Sequence, residues 1–204
     1  KCKVFNVNSV QVYHRIHQAS AFNAQGNHMG VPNLIKKHKQ PCITFATAWY
    51  EVKSKFDPSK YKAWMKNVLE HVNQFYLVVF TNEESKSTIE SCISDDKNIK
   101  IVIKEFDEFL GAKWESQWIE NQKHNHCLNE NSPHNIDWKL NMLWSEKIHF
   151  VKEATSIYPS DYYGWMDIGY FRDEPIHPSW CSPERVLYMD MDKIYYAKIC
   201  SDEI

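Results

Sequence analysis

No two cysteines in this 204-residue chain have the Cys-x-x-Cys spacing, although it contains six, at positions 2, 42, 92, 127, 181 and 200. A zinc ribbon requires such pairs, so the scattered cysteines speak against one and favour reduced thiols in an intracellular setting. The sequence also lacks an apolar run long enough to span a membrane, and it shows no internal repeat or low-complexity segment.

An excess of positive charge is missing as well. The chain has 24 Lys and Arg against 26 Asp and Glu, a formal net charge of −2. Proteins that bind the phosphate backbone of nucleic acids usually carry a basic excess, so we expect no nucleic-acid partner. The basic cluster at 36–39 is interpreted as a solvated linker. Glycine is scarce at five residues, whereas eight Trp and eleven Tyr supply either thick cores or stacking platforms for rings.

The length predicts one domain with a sizeable core. Residues 1–40 are polar and irregular, so we interpret them as an N-terminal arm or small subelement, with one strand in the range 2–12. The main domain is expected to cover residues 41–204. Because the chain begins with Lys1 and stops abruptly at Ile204, we expect it to be a processed or truncated piece of a longer protein.

Apolar segments alternate with helical patterns through the first half of this domain. Strands are predicted at 42–50, 75–80 and 99–103, where the residues are β-rich and nearly free of charge. Asp57 and Pro58 form a helix start, and a second helix is predicted at 84–93. This order of strand, helix, strand, helix, strand indicates an α/β fold with a parallel sheet covered on both faces.

The second half is predicted to contain a short helix near 114–119 and a long one at 136–155. The long helix has an apolar stripe made of Ile136, Leu140, Leu143, Trp144, Ile148, Val151 and Ala154. A strand is predicted to follow Pro159, and further strands are predicted at 186–189 and 194–199.

The segment 162–172, Tyr-Tyr-Gly-Trp-Met-Asp-Ile-Gly-Tyr-Phe-Arg, is the most informative stretch. It is predicted to be a buried strand that ends in a turn and carries one carboxylate, Asp167. Burying such a charge costs several kcal/mol unless it is paired or metal-bound. Two interpretations remain open: Asp167 binds a ligand beyond the carboxyl end of the strand, or it caps the following turn through its own backbone.

Two other groups are candidate metal ligands. Asp190 and Asp192 form an Asp-x-Asp motif whose two carboxylates could share a hard cation with a diphosphate. The same pair could serve a phosphohydrolase. Alternatively, Lys193 neutralises the two carboxylates in a simple hairpin turn. His124, His126 and Cys127 suit a soft metal but lack a fourth ligand at the usual spacing, so a polar surface loop is the favoured interpretation.

Several segments together resemble a known family. They are Ile43–Tyr50, the helix that begins at Asp57, the Leu-Val-Val-Phe-Thr-Asn-Glu run at 77–83, the helix at 138–154, and the Trp-x-Asp-x-Gly-Tyr-x-Arg string at 165–172. They resemble the HtrL/YibB (WlaTC/HtrL-like) family, which is associated with glycosyltransferases of the GT-A type. The resemblance covers about residues 42 to 200, and the 165–172 string is its most specific part.

The resemblance implies a Rossmann-like α/β/α sandwich (GT-A-like) with a mostly parallel sheet, and a nucleotide-diphosphosugar transferase that depends on Mn²⁺ or Mg²⁺. In that fold type an Asp-x-Asp follows the corresponding strand. Here Asp167 and Gly169 occupy those positions, so the second carboxylate is missing. Asp167 is then expected to hold the metal directly, through water, or to bind the donor ribose. Gly169 would admit a bulky ligand near the backbone or form a positive-φ turn.

The same resemblance implies a donor site around the strand ends. The nucleobase would lie on the turn formed by Thr47, Ala48, Trp49 and Tyr50, where either aromatic ring stacks on the base or belongs to the core. Asn82 would lie near the ribose, and Lys139, Lys147 and Arg172 are candidate partners of the phosphates. An alternative for Arg172 is a carboxylate that orients its loop.

We therefore predict a glycosyltransferase in which nucleoside diphosphate leaves the anomeric carbon, with Asp167 catalytic and Asp173 or Glu174 as the base of an inverting reaction. A UDP-sugar is the expected donor, and a glycan or protein is the expected acceptor. The expected setting is the cytoplasm or the cytoplasmic face of a membrane. The alternative is a non-catalytic carbohydrate- or nucleotide-binding module of the same fold.

Overall fold

A computed structural model of the chain describes residues 43–54, 56–70, 72–125, 136–176, 180–182, 186, 189–190 and 192–195. The strands in these ranges are β1 (Ile43–Ala48), β2 (Tyr76–Thr81), β3 (Ile99–Ile103) and β4 (Tyr162–Trp165). The α-helices are α1 (Pro58–Leu69), α2 (Glu83–Glu90), α3 (Glu115–Lys123) and α4 (Trp138–Ala154). Two 3-10 turns, Phe106–Glu108 and Leu110–Trp114, link β3 to α3.

The four strands form one sheet in the order β3-β2-β1-β4, and every pairing is parallel. Phe45 is aligned with Leu77 of β2 on one side and with Gly164 of β4 on the other. Gly164 allows this register because a Cβ there would lie 3.0 Å from the ring of Phe45. The predicted α/β fold, a Rossmann-like α/β/α sandwich, is confirmed.

Successive side chains along each strand point to opposite faces of the sheet and pack in two separate hydrophobic cores, one on each face. In β2, Leu77 and Val79 pack on the face covered by α1 and α2, whereas Val78 and Phe80 pack on the face covered by α4. All four side chains are fully buried. Two-sided burial explains why this strand is a continuous apolar run rather than an alternating one.

The helices begin where the sequence places capping residues. Asp57 accepts a hydrogen bond from the Ser59 amide at 2.9 Å and precedes Pro58 at the first helical position. Asp137 accepts one from the Lys139 amide at 2.9 Å at the start of α4. Each cap satisfies a backbone N–H that has no acceptor within the helix. The predicted starts of α1 and α4 are thereby confirmed to within two residues.

The apolar stripe predicted for α4 is wrong in two of its members. Trp144 is 39% exposed and Ile148 is 72% exposed, whereas Met142, Glu146 and Phe150 are buried. The buried face is therefore rotated relative to the predicted one. Apolar residues occur on both faces of this helix, so periodicity alone did not identify the face that packs on the sheet.

Strand β4 is an edge of the described sheet, and its four residues are half-buried rather than buried as predicted. The predictions for residues 1–40, including the strand at 2–12, concern residues outside the described ranges. The strands predicted at 186–189 and 194–199 lie largely outside these ranges as well, and Val186, which is described, is helical. None of the helices that the structure describes is both long and apolar enough to cross a membrane.

The revised face of α4 predicts contrasting effects of two substitutions. Phe150→Ala should lower the free energy of unfolding by about 3–5 kcal/mol, because its buried ring stacks on Phe80 at 4.5 Å between centroids. Ile148→Ala should change it by less than about 0.5 kcal/mol, because the side chain is exposed. Urea denaturation measures both, and equal effects would contradict the observed packing of α4.

Candidate functional site

The strand order defines where a ligand is expected. From β1 the chain proceeds to β2 and β3 on one side, then returns to place β4 on the other side of β1. The connection after β1 and the segment after β4 both pack on the α1 face, whereas α4, which leads into β4, covers the other face. The strand order thus reverses between β1 and β4, and the crevice at the carboxyl ends of these strands is the usual ligand position in such sheets. Residues 47–51 and 166–172 border it.

Asp167 is the carboxylate that follows β4 at this crevice. Its Oδ1 accepts hydrogen bonds from Lys147 Nζ of α4 at 2.7 Å and from Trp165 Nε1 at 2.8 Å. The Lys147 ammonium also lies 5.1 Å from the centre of the Trp165 ring. The side chain of Asp167 is 61% exposed, so it is accessible to a ligand and bears little desolvation cost. Its backbone carbonyl accepts from the Tyr170 amide at 3.0 Å, so the alternative in which Asp167 caps the following turn through its own backbone agrees with the structure.

Lys139, the other lysine predicted on α4, does not join this group in the contacts described. Its ammonium lies 5.3 Å from the ring of Phe106 and 5.9 Å from the ring of Trp138. Lys147 lies eight positions after Lys139, which corresponds to about 12 Å along a helix. The structure therefore assigns the contact with Asp167 to Lys147.

The aromatic residues of the predicted base-binding turn belong to the core. Trp49 is 5% exposed and stacks on Tyr61 of α1 with centroids 5.5 Å apart. Tyr50 is 2% exposed and donates its hydroxyl to Lys104 O at 2.8 Å. Burial, together with the nearby Glu105 carboxylate, raises the pKa of Tyr50 far above its ordinary value. Neither ring presents a free face on which a base could stack.

Thr47 and Trp49 leave polar atoms without partners on the α1 face of β1. Thr47 Oγ1 and Trp49 Nε1 are buried, and neither has a hydrogen-bond partner among the described residues. Ala48, between them, is half-buried and packs on the opposite face. Buried polar atoms of this kind are usually satisfied by a water or a ligand. These two residues are therefore the part of the turn best suited to a polar contact.

Asn82 lies at the end of β2, as predicted, but its side chain has a structural task. Its Oδ1 accepts from the Ser85 amide at 3.0 Å and caps α2. The neighbouring Glu83 amide donates to Glu105 Oε1 at 3.0 Å. The backbone N–H groups of Glu83 and Ser85 in the first turn of α2 therefore already have acceptors, the Glu105 carboxylate and the Asn82 side-chain amide.

Gly169 and Arg172 both pack on α1. A Cβ at Gly169 would lie 3.0 Å from Trp64 Cε3, and the φ of Gly169 is outside the left-handed range, so the predicted positive-φ turn is wrong. The Arg172 guanidinium lies 4.8 Å from the ring of Trp64 and 5.3 Å from that of Phe56. No ion pair of Arg172 occurs within the described chain, so the predicted orienting carboxylate is not observed. Asp173, the candidate base, is exposed in the same loop.

Sequence reasoning missed Asn67, which fixes this loop on α1. Its Nδ2 donates to Phe171 O at 2.9 Å, and its backbone carbonyl accepts from the Ile176 amide at 2.8 Å. A single half-buried amide on a helix is indistinguishable in sequence from a solvated one. Only the fold, which brings residues 104 positions apart into contact, reveals its role.

Sequence reasoning also missed Glu146, which is 1% exposed on α4. Its Oε1 accepts from the Leu110 amide at 3.0 Å and lies 3.9 Å from Lys104 Nζ. Lys104 in turn pairs with Glu153 at 2.6 Å. Since Glu146 precedes Lys147, the same helical turn is anchored to the 3-10 segment after β3 and to Asp167.

Asp190 and Asp192 form a turn of their own. Asp190 pairs with Lys193 and also accepts from the Asp192 amide at 3.0 Å, while Asp192 is exposed. Met189 O accepts from the hydroxyl of Tyr162, the first residue of β4, whereas Asp167 follows the last. No described contact brings these carboxylates to Asp167. The alternative in which Lys193 neutralises the pair agrees with this geometry.

A divalent cation at the switch point would find Asp167 after β4 and the exposed carboxylate of Glu51 after β1. Among the described residues, no group of three or more His, Cys, Asp or Glu side chains is arranged to hold a metal. His126 and Cys127 lie outside those residues, and His124 contacts Glu120 at 3.2 Å. Mg²⁺ and Mn²⁺ commonly use one or two carboxylates with phosphate oxygens and water. Asp167 fits that mode and does not fit a cation enclosed by protein ligands.

The chain matches no protein-family model, and neither curated proteins nor solved structures gave a significant match. The predicted family therefore stays a prediction.

The Asp167–Lys147 pair should add little to stability, because both side chains are partly exposed. A double-mutant cycle of Asp167→Ala and Lys147→Met should give a coupling free energy below about 1 kcal/mol. Urea denaturation of the four proteins measures it. A coupling above about 2 kcal/mol would instead make the pair a structural element of the fold.

The turn at 190–193 predicts a change in one pKa. The hydrogen bond from Lys193, followed by that from the Asp192 amide, holds the pKa of Asp190 below its usual value. Lys193→Met removes the ammonium that stabilises the charged carboxylate, so the Asp190 pKa should rise toward its ordinary value. Carboxyl-carbon NMR measures this, with Lys193→Arg as the control that keeps the charge. An unchanged pKa in Lys193→Met would contradict the pairing.

Proposed function

We propose that this chain is a nucleotide-diphosphosugar-dependent glycosyltransferase domain whose donor site lies at the crevice between β1 and β4. The observation that carries the proposal is the position of Asp167: an accessible carboxylate directly after β4, held beside a lysine of α4. Ligands of open parallel sheets bind at such a switch point. The resemblance of residues 165–172 to a glycosyltransferase-associated family supports the choice of reaction.

In the proposed reaction the protein positions charge around the departing diphosphate. Lys147 contributes an ammonium that stabilises negative charge on the leaving group. Asp167 is the protein ligand for a Mn²⁺ or Mg²⁺ ion, which would supply Lewis-acid stabilisation of the same charge when bound. In an inverting reaction, exposed Asp173 is the candidate base that takes the proton of the acceptor hydroxyl.

One observation favours the alternative of a nucleotide- or carbohydrate-binding module without transfer activity. The Lys147 ammonium already lies 2.7 Å from Asp167 Oδ1, at the oxygen that a cation would otherwise share. A site neutralised in this way can bind a neutral or anionic ligand without metal. Metal dependence of donor binding distinguishes the two functions.

Asp167→Asn should lower turnover of the nucleotide-sugar donor by about 100-fold or more while the fold stays intact. The amide oxygen still accepts from Lys147 and Trp165, so the loop keeps its hydrogen bonds while the negative charge is lost. The donor is first identified by thermal shift with UDP-, GDP-, CMP- and ADP-sugars, each with and without Mn²⁺.

Asp190→Asn is the matched control, because it removes an equivalent charge from the separate 190–193 turn. It should leave turnover near that of the unmodified protein. If Asp167→Asn kept the activity of the unmodified protein, the crevice at Asp167 would be excluded as the donor site. A thermal shift that is independent of Mn²⁺, without turnover, would establish the binding module instead.

A further inference from the structure

The guanidinium of Arg172 is held in place by two aromatic rings. Its Cζ lies 4.8 Å from the ring centre of Trp64 and 5.3 Å from that of Phe56. Stacking occupies the face of a guanidinium and leaves the N–H groups on its edge available. The side chain is exposed, so these donors are accessible to a ligand.

Arg172 has no anionic partner in the part of the chain that the structure describes. Asp173 and Glu174 follow it directly and are exposed, yet neither forms an ion pair with it. Asp57, which follows Phe56, accepts from the Ser59 amide instead. A second cation, Lys60, lies 5.8 Å from the same Phe56 ring. Lys60 interacts electrostatically with Asp57, whereas the Arg172 guanidinium forms no ion pair among the described residues.

The position of this group relates it to the ligand crevice. Phe56 belongs to the connection from β1 to α1, and Arg172 belongs to the loop after β4. The stacking contact thus joins the two connections that border the switch point. It lies on the α1 side of the sheet, whereas Lys147 approaches Asp167 from α4 on the other side.

The loop that carries Arg172 is fixed before any ligand binds. Asn67 holds it at Phe171 O and at the Ile176 amide, with distances of 2.9 and 2.8 Å. Gly169 packs closely against Trp64 and brings the loop onto the helix. A donor group held in this way loses little conformational entropy on binding.

We propose that Arg172, supported by Phe56 and Trp64 and assisted by Lys60, binds the phosphate or carboxylate group of a small-molecule ligand. The planar fork of a guanidinium binds both groups through two parallel N–H···O bonds. This site is separate from the Asp167–Lys147 pair. The inference depends on the loop geometry alone and is independent of sugar transfer.

Side-chain NMR tests the proposal directly, because the chain contains only three arginines, Arg15, Arg172 and Arg185. Inorganic phosphate and, separately, acetate are added to the ¹⁵N-labelled full chain. The Nε–Hε signal missing from the Arg172→Gln spectrum identifies Arg172. That signal should move saturably with at least one anion, and the stronger response shows which group the site prefers. No movement with either anion would overturn the proposal.

Two variants distinguish a site from general electrostatic attraction. Each variant removes one of the two cationic side chains that lie near the Phe56 ring. The affinity for the added anion is measured from the shift of the Trp64 indole N–H signal. Arg172→Gln should weaken anion binding by at least about tenfold, and Lys60→Gln by about twofold or less. Equal losses would overturn the proposal. Since the probes are inorganic phosphate and acetate, a failure to bind nucleotide sugars would contradict the proposed function and leave this result unaffected.

Discussion

The pairing of β4 with β1 is the constraint on which the site depends. The ladder continues past the last aligned pair, Ala46 and Trp165, because the Met166 amide donates to Ala46 O at 3.0 Å. The next residue, Asp167, is the first to leave the sheet. Its carboxylate is therefore placed by backbone hydrogen bonds, and the exposed pair with Lys147 only orients it. A shift of one residue in this register would turn the side chain toward the opposite face.

The parts of the fold that were predicted correctly are those with local causes. Asp57 and Pro58 specify the start of α1 from adjacent positions, and β2 is apolar because both of its faces are covered. The site depends on contacts between distant residues. Lys147 and Asp167 are 20 positions apart, and Asn67 and Phe171 are 104 apart. No local pattern in the sequence specifies which lysine meets Asp167, so Lys139 and Lys147 were equally plausible until α4 was placed.

The core position of the aromatic rings at the predicted base-binding turn, one of the two alternatives left open, also has a physical reason. Aromatic residues after a strand can stack on a ligand or fill the space between the sheet and its helices, and the sequence is the same in both cases. Here Tyr61 of α1 covers Trp49, and the carbonyl of Lys104 accepts from Tyr50. The interior required these rings for packing. The polar atoms of this turn that lack a partner among the described residues, Thr47 Oγ1 and Trp49 Nε1, are buried as well.

The charges on α4 connect this packing with the chemistry proposed for the site. Glu146 and Lys147 are adjacent, so their side chains point about 100° apart around the helix. One carries a buried carboxylate that is held by the Leu110 amide, and the other reaches Asp167. A buried carboxylate deprived of its partners is strongly destabilising, so Glu146 restricts rotation of the helix and thereby fixes where the Lys147 ammonium lies. A divalent cation at Asp167 would compete with that ammonium for the same carboxylate. If the cation displaced the Lys147 ammonium, that ammonium would lie beside the diphosphate of the proposed donor. The phosphates would then neutralise the positive charge of Lys147 in place of Asp167.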